Sequence, residues 1–235
     1  FQTDLRLADN PALSSAQDAD SLLCIYLMPK PRPWCNLTGL GPQRDRFLRE
    51  SLQELKEQLQ TLGQDLMVLE GSPELVLPTI VDRFSIDHVT TSYTPGWHET
   101  QAIAFLEQKL PAMLSVFRGS TLFDAEQFPF ELEDLSDTFS PFRRKVEKLN
   151  ISSPMTAPST LPPPPSAQFD AIPKAVASPH PGLPLPGGSA AGLRRLDQFL
   201  FQTHAIADYK QTRNDLDGLS GSSTLSPWLA SGALS

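Results

Sequence analysis

The sequence is poor in cysteine, in positive charge and in long apolar runs. Its two cysteines, Cys24 and Cys35, cannot build a multi-bridge framework, and Cys24 lies inside an apolar run. A reducing compartment, the cytoplasm, is therefore expected. Nineteen Lys and Arg stand against 27 Asp and Glu, a formal net charge of −8, which argues against this segment alone coating nucleic acid electrostatically. No apolar run approaches the ~18–20 residues of a membrane span. Phe1-Gln2-Thr3-Asp4 offers neither a basic stretch nor an apolar one, so no secretory leader is expected. The four histidines, His88, His98, His180 and His204, show no metal spacing with each other or with the cysteines. No Gly-x-Gly-x-x-Gly and no Gly-x-x-x-x-Gly-Lys loop occurs, which removes support for an ordinary dinucleotide or P-loop site. Nothing arranges a nucleophile, a histidine and an acid for hydrolysis.

What is present is a chain of 235 residues, 40% hydrophobic and 20% charged, able to bury a sizeable core. That length suits one large domain, or one domain with part of a second. Proline is abundant, at 23 residues against 13 glycines, and eleven of those prolines fall between Ile151 and Pro186. The same window holds one acid, Asp170, and one base, Lys174, and includes the run Pro162-Pro163-Pro164-Pro165. It cannot propagate a helix or a central strand, and reads as an extended connector. Folded-looking sequence resumes on both sides, which favours a linker over a docking site for a partner. Residues 1–150 form one unit, 151–186 the linker and 187–235 the start of another. The first unit carries 14 bases and 22 acids, and so the whole charge excess.

Within residues 1–150, strand-like and helix-like patterns alternate. Leu22 to Met28 is a continuous apolar run, the mark of a strand buried on both faces. Leu48, Leu52, Leu55, Leu59 and Leu62 then recur every three or four residues, an amphipathic helix stopped at Gly63. Asp65–Glu70 is a second strand. Ser72-Pro73-Glu74 opens a helix with a capping hydroxyl, a first-turn proline and an acid. His88–Tyr93 is a third strand, His98–Leu110 a third helix and Val116–Arg118 a short fourth strand. This alternation predicts an α/β fold with a doubly wound parallel sheet, whose ligand site lies beyond the carboxyl ends of the strands. Phe1 reads as the tail of a further strand that the sequence lacks.

In the last unit, Ala190 to Tyr209 reads as one helix, with Leu193, Leu196, Phe199 and Leu200 on its apolar face and Arg194, Arg195 and Asp197 outside. A loop follows from Asp215 to Gly221. Ser226-Pro227 then signals a new helix through Trp228, with Ser222, Ser223, Thr224 and Ser226 crowded at its start. Free N–H groups and hydroxyls there would seat a phosphate or diphosphate. An ordinary capped helix after a polar loop explains the same residues. Trp228 is expected in the core. Arg143-Arg144-Lys145 and Lys148 read as a solvated helix face rather than a DNA contact, and Glu131–Leu135 as a solvated loop.

Three stretches carry a resemblance. Phe1-Gln2-Thr3-Asp4-Leu5-Arg6-Leu7-Ala8-Asp9-Asn10-Pro11-Ala12-Leu13 resembles the opening of photolyases and cryptochromes. Tyr209-Lys210-x-Thr212-Arg213-Asn214, followed by Ser222-Ser223-x-Leu225-Ser226-Pro227-Trp228-Leu229-Ala230-x-Gly232, is similar to the start of that family's FAD-binding region. Asp137–Glu147 resembles a segment of the DASH cryptochrome branch. The resemblance implies an N-terminal α/β domain, a long connector and the beginning of an all-α FAD-binding domain, so the chain looks like a piece of a longer protein. Alone it is not expected to repair DNA.

The implied chemistry is light-driven. Reduced FAD, excited by blue light, donates an electron to a cyclobutane pyrimidine dimer in DNA, the dimer splits and the electron returns. A 5,10-methenyltetrahydrofolate antenna harvests light for the flavin. A non-enzymatic blue-light photoreceptor on the same scaffold is the alternative. The implied partner is dimer-containing DNA, bound by a monomer. Tyr209 matches the flavin-contacting tyrosine, and Ser222, Ser223, Thr224, Leu225 and Ser226 match the loop that cradles the FAD phosphates. Glu99, with His98 as a weaker neighbour, stands where the family hydrogen-bonds the folate pteridine. A carboxylate suits an amino-pyrimidinone edge, although an acid in a first helical turn also needs no ligand. Catalytic residues and the electron relay are expected beyond Ser235. Two departures stand out: Gln2 replaces a frequent arginine, and Thr224 stands where the family has lysine or arginine. The second predicts a missing cation beside the diphosphate and poorer FAD retention.

Overall fold

The computed structural model describes residues 1–29, 39–123, 125–182, 184–215 and 221–235. Trp34, Cys35 and most of the loop expected at 215–221 lie outside the described residues.

The leucine stripe organises the first half. Helix α2 (Pro42–Thr61) buries Leu52, Leu55 and Leu59 at 0, 1 and 0% exposure. They pack on Cys24 and Tyr26 of strand β1 (Cys24–Met28) and Leu66 of strand β2 (Leu66–Glu70), with Leu5, Leu13 and Ile172 completing the cluster. Each such leucine contributes roughly 1.5–3 kcal/mol relative to exposure. Strands β1 and β2 pair in parallel, Cys24 opposite Leu66 through Met28 opposite Glu70. A second parallel pair joins β3 (Val89–Ser92) to β4 (Leu114–Phe117). Helix α3 (Pro73–Phe84) leads from β2 to β3, and α4 (Trp97–Lys109) from β3 to β4. Parallel strands need crossovers of this kind, so the doubly wound reading holds. Val81, Leu106 and Leu110 close a second core over these elements.

Residues 1–4 lie in the seam between the two pairs. The Phe1 amine donates to the Ile25 carbonyl of β1 (2.9 Å), while Gln2 Nε2 donates to Thr91 Oγ1 (2.9 Å) and Ser92 Oγ to the buried Asp4 carboxylate (2.6 Å) on β3. Gln2 thus makes a neutral side-chain hydrogen bond to β3. Helix α1 (Pro11–Ser14) is capped by Asn10, whose side-chain oxygen accepts from Leu13 N at 3.0 Å. Ser72 makes no such side-chain cap on α3; its backbone carbonyl accepts from Leu75 and Val76 instead.

Short turns at Ala125–Gln127 and Leu132–Asp134 precede helix α5 (Phe139–Val146). Phe123, Phe128, Phe130, Phe139 and Phe142 form a ring-on-ring cluster there, with Lys145 Nζ 4.7 Å from the Phe130 ring. Arg143 pairs with Glu147 on an exposed face.

The described residues of the proline-rich stretch form no helix and no sheet strand, yet they are bound at several points along its length. Pro163 O accepts from Leu22 N (3.1 Å) and Ser21 Oγ (3.0 Å), Met155 O from Asp9 N (2.8 Å), and Ile172 is 8% exposed in the first core. Its end docks on the polar side of α2. Arg46, 4% exposed, donates to Leu185 O at 2.7 Å. Glu54 accepts from Ala190 N (3.0 Å) and Ser189 Oγ (2.8 Å) at the start of helix α6 (Ser189–Asp197). An acid at a helix N-terminus satisfies free N–H groups and matches the dipole.

The single helix expected from Ala190 to Tyr209 is broken. After α6 the chain widens into a π-turn over Gln198–Gln202, His204 takes φ +51°, a 3-10 turn covers Ala205–Asp208, and helix α7 (Tyr209–Thr212) follows. The Thr203 amide (3.0 Å) and hydroxyl (2.8 Å) both donate to Gln198 O, so the side chain competes for a carbonyl the helix would use. Leu193 is 55% exposed while Phe199 is 3% exposed, so the apolar face also differs from a uniform stripe. Helix α8 (Ser226–Ser231) closes the chain. Trp228, 1% exposed, meets Phe47 of α2 edge-on at 5.7 Å, a core role as expected.

Candidate cofactor-binding site

The turn ahead of α8 is held open by an arginine. Arg195 of α6 donates from Nη2 to Ser222 O (2.8 Å), and from Nε to Ser223 O (2.9 Å) and Thr224 Oγ1 (3.0 Å). In trans peptides the N–H points opposite to the preceding carbonyl, so the N–H groups of Ser223 and Thr224 face away from the guanidinium. Thr224 takes φ +53°, and Leu225 follows at φ −77°, ψ −11°. A left-handed residue before a right-handed one turns successive N–H groups toward one concavity, a geometry suited to anions. Ser222 and Ser223 are half-buried and Ser226 is exposed.

Two expectations are corrected here. Leu225, not Ser226, is the N-cap of α8, and it has no side-chain oxygen. The six-residue helix is anchored by its packing rather than by a hydroxyl cap. Arg195 is also not on a solvated outside face. Burial lowers its guanidinium below its ordinary pKa, and it brings a cation to Thr224, where the sequence predicts a missing one. Helical periodicity alone could not reveal this, because the π-turn that follows breaks the period.

Tyr209 opens α7, is 41% exposed, and presents its ring to Phe199 edge-on at 6.5 Å. Thr212 Oγ1 donates to Gly221 O (3.3 Å), tying α7 to the start of the turn. A cleft of about 470 Å³ opens beside them, lined by Arg195, Gln198, Phe199, Asp208 and Thr212 among others. Arg195 thus both holds the residue 222–226 turn and lines this cleft, while Tyr209 packs on Phe199, another of its lining residues.

Glu99 and His98 stand apart, in the first turn of α4, just past the carboxyl end of β3. Both are exposed. The Glu99 carboxylate folds back over Gly96, its Oε2 2.1 Å from where a Cβ on that glycine would lie. No group of three or more His, Cys, Asp or Glu among the described residues could hold a metal ion. None of the described helices is long and apolar enough to cross a membrane.

A buried arginine escaped the sequence reading altogether. Arg6 is 6% exposed and donates to Gly232 O (2.9 Å), Asp9 O (2.8 Å) and Gly119 O (3.3 Å). Desolvation lowers its pKa, against the raising influence of Asp4 and Asp9.

Comparison with known proteins agrees with this architecture. The DASH cryptochrome of Idiomarina loihiensis is 34% identical over all of this chain and 54% of its own. The solved Synechocystis cryptochrome superposes with a TM-score of 0.91 at 32% identity, covering all of this chain and 52% of that one. An archaeal photolyase from Sulfolobus tokodaii, solved with two FAD molecules, shares the fold at a TM-score of 0.70 and 22% identity, and 51% of it is covered. The chain therefore spans about half the length of these relatives. The DNA photolyase family profile matches residues 1–165, and with these likenesses to DASH cryptochromes, the chain belongs to the DNA photolyase family.

Proposed function

We propose that this protein is a DASH-type light-driven repair enzyme for cyclobutane pyrimidine dimers in DNA, using FAD and a methenyl-folate antenna. The observation that carries the reading is the Arg195-held turn at residues 222–226, in which the guanidinium takes the Ser222 and Ser223 carbonyls and Thr224 adopts a left-handed φ. The residues fit the diphosphate end of FAD. Turn N–H groups and the Ser222, Ser223 and Ser226 hydroxyls would donate to phosphate oxygens, Leu225 carries the turn into α8, and Arg195 keeps it in shape and adds positive potential. Tyr209, 41% exposed at the start of α7, would flank the cofactor. Bound there, reduced FAD would supply the photoexcited electron that splits the dimer and accept it back. Glu99, with His98 beside it, would accept hydrogen bonds from the amino-pyrimidinone edge of the folate. Residues 1–150 then serve as the antenna domain, 151–186 as the interdomain connector and 187–235 as the opening of the flavin domain, in a monomer of the cytoplasm.

The test is direct. Full-length protein should carry a flavin absorption band, and blue light should restore intact thymines in dimer-containing DNA, read by chromatography of the digested strands. A colourless protein would refute the FAD assignment. A flavin-loaded protein that leaves dimers intact would favour the blue-light receptor reading, which the cryptochrome name of the relatives suggests.

A further inference from the structure

Helix α8 is six residues long, too short to hold itself together in water. Two contacts from distant parts of the chain fix it. Trp228 packs on Phe47 of α2, and the C-terminal end abuts residues 3–6. Gly232, the C-cap at φ +67°, sits so close to that segment that a Cβ on it would lie 1.8 Å from the Thr3 carbonyl oxygen. Leu5 N donates to Ser231 O (3.3 Å), and Ser235 Oγ donates to the Asp9 carboxylate. Arg6 completes the joint: Nη1 donates to Gly232 O (2.9 Å), while Nη2 reaches Asp9 O (2.8 Å) and Gly119 O (3.3 Å) on the α/β side. A guanidinium against the last carbonyls of a helix satisfies an orphan acceptor and complements the dipole end. Its planar fork spans two sides of the joint at once, which an ammonium cannot do.

From this geometry we infer that Arg6 is a positioning residue for the residue 222–226 turn: by clamping Gly232 to the α/β domain, it sets where α8, and the turn that runs into it, sits. The inference rests on the reading of that turn as the FAD diphosphate seat. It adds that cofactor retention depends on a side chain more than two hundred residues earlier in the sequence, through backbone contacts and with no contact to the cofactor.

The experiment compares full-length wild type with Arg6→Met, Arg6→Lys, Gly232→Ala and Asn10→Ala, measuring FAD dissociation constants and amide hydrogen exchange. Asn10 is the control: it is 1% exposed, caps α1 and donates to the Asp4 and Arg6 backbone carbonyls, so it supports the same segment without itself bonding α8 or replacing the Arg6 guanidinium. Arg6→Met and Gly232→Ala should each weaken FAD at least tenfold and speed exchange over 222–232, with protection over Cys24–Met28 and Leu66–Glu70 unchanged. Arg6→Lys should recover part of the affinity. Asn10→Ala should lower the unfolding midpoint without moving FAD affinity. If Arg6→Met binds FAD within twofold of wild type, or if Asn10→Ala weakens FAD as much as Arg6→Met, the inference is wrong. Should Arg6→Met fail to fold, Arg6→Lys and Gly232→Ala decide by the same thresholds. A wild type without flavin would refute the underlying reading of the turn. The exchange rates over 222–232 would then decide the clamp alone, and equal rates in wild type and Arg6→Lys would overturn it.

Discussion

Replacing Arg195 by methionine keeps the aliphatic stem and removes the guanidinium. The structure gives that group two backbone carbonyls, Ser222 O at 2.8 Å and Ser223 O at 2.9 Å, and the Thr224 hydroxyl at 3.0 Å. Bonds from a charged donor contribute about 1.5–3 kcal/mol each, and the half-buried, water-reachable setting favours the lower end. Thr224 also holds a left-handed φ of +53°, which costs a non-glycine residue about 1–2 kcal/mol without support. Losing the two carbonyl bonds therefore removes about 3 kcal/mol from the native turn, with water recovering part of it. If the turn must be formed before the diphosphate can bind, about 2–3 kcal/mol appears as weaker binding, roughly 30- to 150-fold in the FAD dissociation constant. The assay is titration of flavin-stripped full-length protein with FAD, followed by quenching of flavin fluorescence, with circular dichroism confirming the fold. Arg195→Lys keeps the charge but not the fork and should fall between. An Arg195→Met protein that binds FAD within threefold of wild type would show that the turn is preformed without the arginine, and the argument would fail.

Three further outcomes are expected. Glu99→Ala in the full-length protein should lower folate content while FAD content stays the same; unchanged folate by absorbance and extraction would remove Glu99 from the antenna site. Trp228→Ala should cost about 3–5 kcal/mol in urea unfolding, whereas Trp228→Phe should cost much less, because the buried indole Nε1 has no hydrogen-bond partner to lose. Burial on β1 pushes the Cys24 thiol up from 9.0 to about 12 and the Tyr26 hydroxyl up from 10.0 to about 12. Both groups hold their protons more tightly when folded, so their share of stability is intact below about pH 9 and drains away as pH rises toward 12. The double variant Cys24→Ala, Tyr26→Phe should show a flatter alkaline unfolding curve, and an unchanged slope would contradict the burial argument.

The strands and the long helices were legible because each rests on one repeated signal. A continuous apolar run marked β1, and leucines every three or four residues marked α2. Such signals survive because the core demands them: Leu52, Leu55, Leu59 and Leu66 are all at 0 or 1% exposure. The turn at 222–226 was legible as a place, through its hydroxyls and the proline at 227, although its cap was assigned one residue late. The broken helix between 190 and 209 was not legible. Its breaking depends on Thr203 competing for the Gln198 carbonyl and on Phe199 turning inward, and neither changes the local helical pattern enough to notice.

The arginines explain the rest of what escaped. Arginine is ordinarily a surface residue, so a sequence reader assigns it to solvent by default. In this chain Arg6, Arg46 and Arg195 all turn onto backbone carbonyls: Gly232 O, Leu185 O, and Ser222 O with Ser223 O. Each target lies in the segment from 185 to 232, whose cluster of Leu185, Ala191 and Trp228 borrows Phe47 from α2. Backbone carbonyls leave no trace in side-chain identity, so no periodicity or motif could point from the arginine to its partner. A segment with a modest core and several bound carbonyls is held by directional bonds as well as by packed area. Its geometry should therefore loosen when those donors are removed, which is why the three arginines, more than the hydroxyls of the turn, are where substitution will test the site.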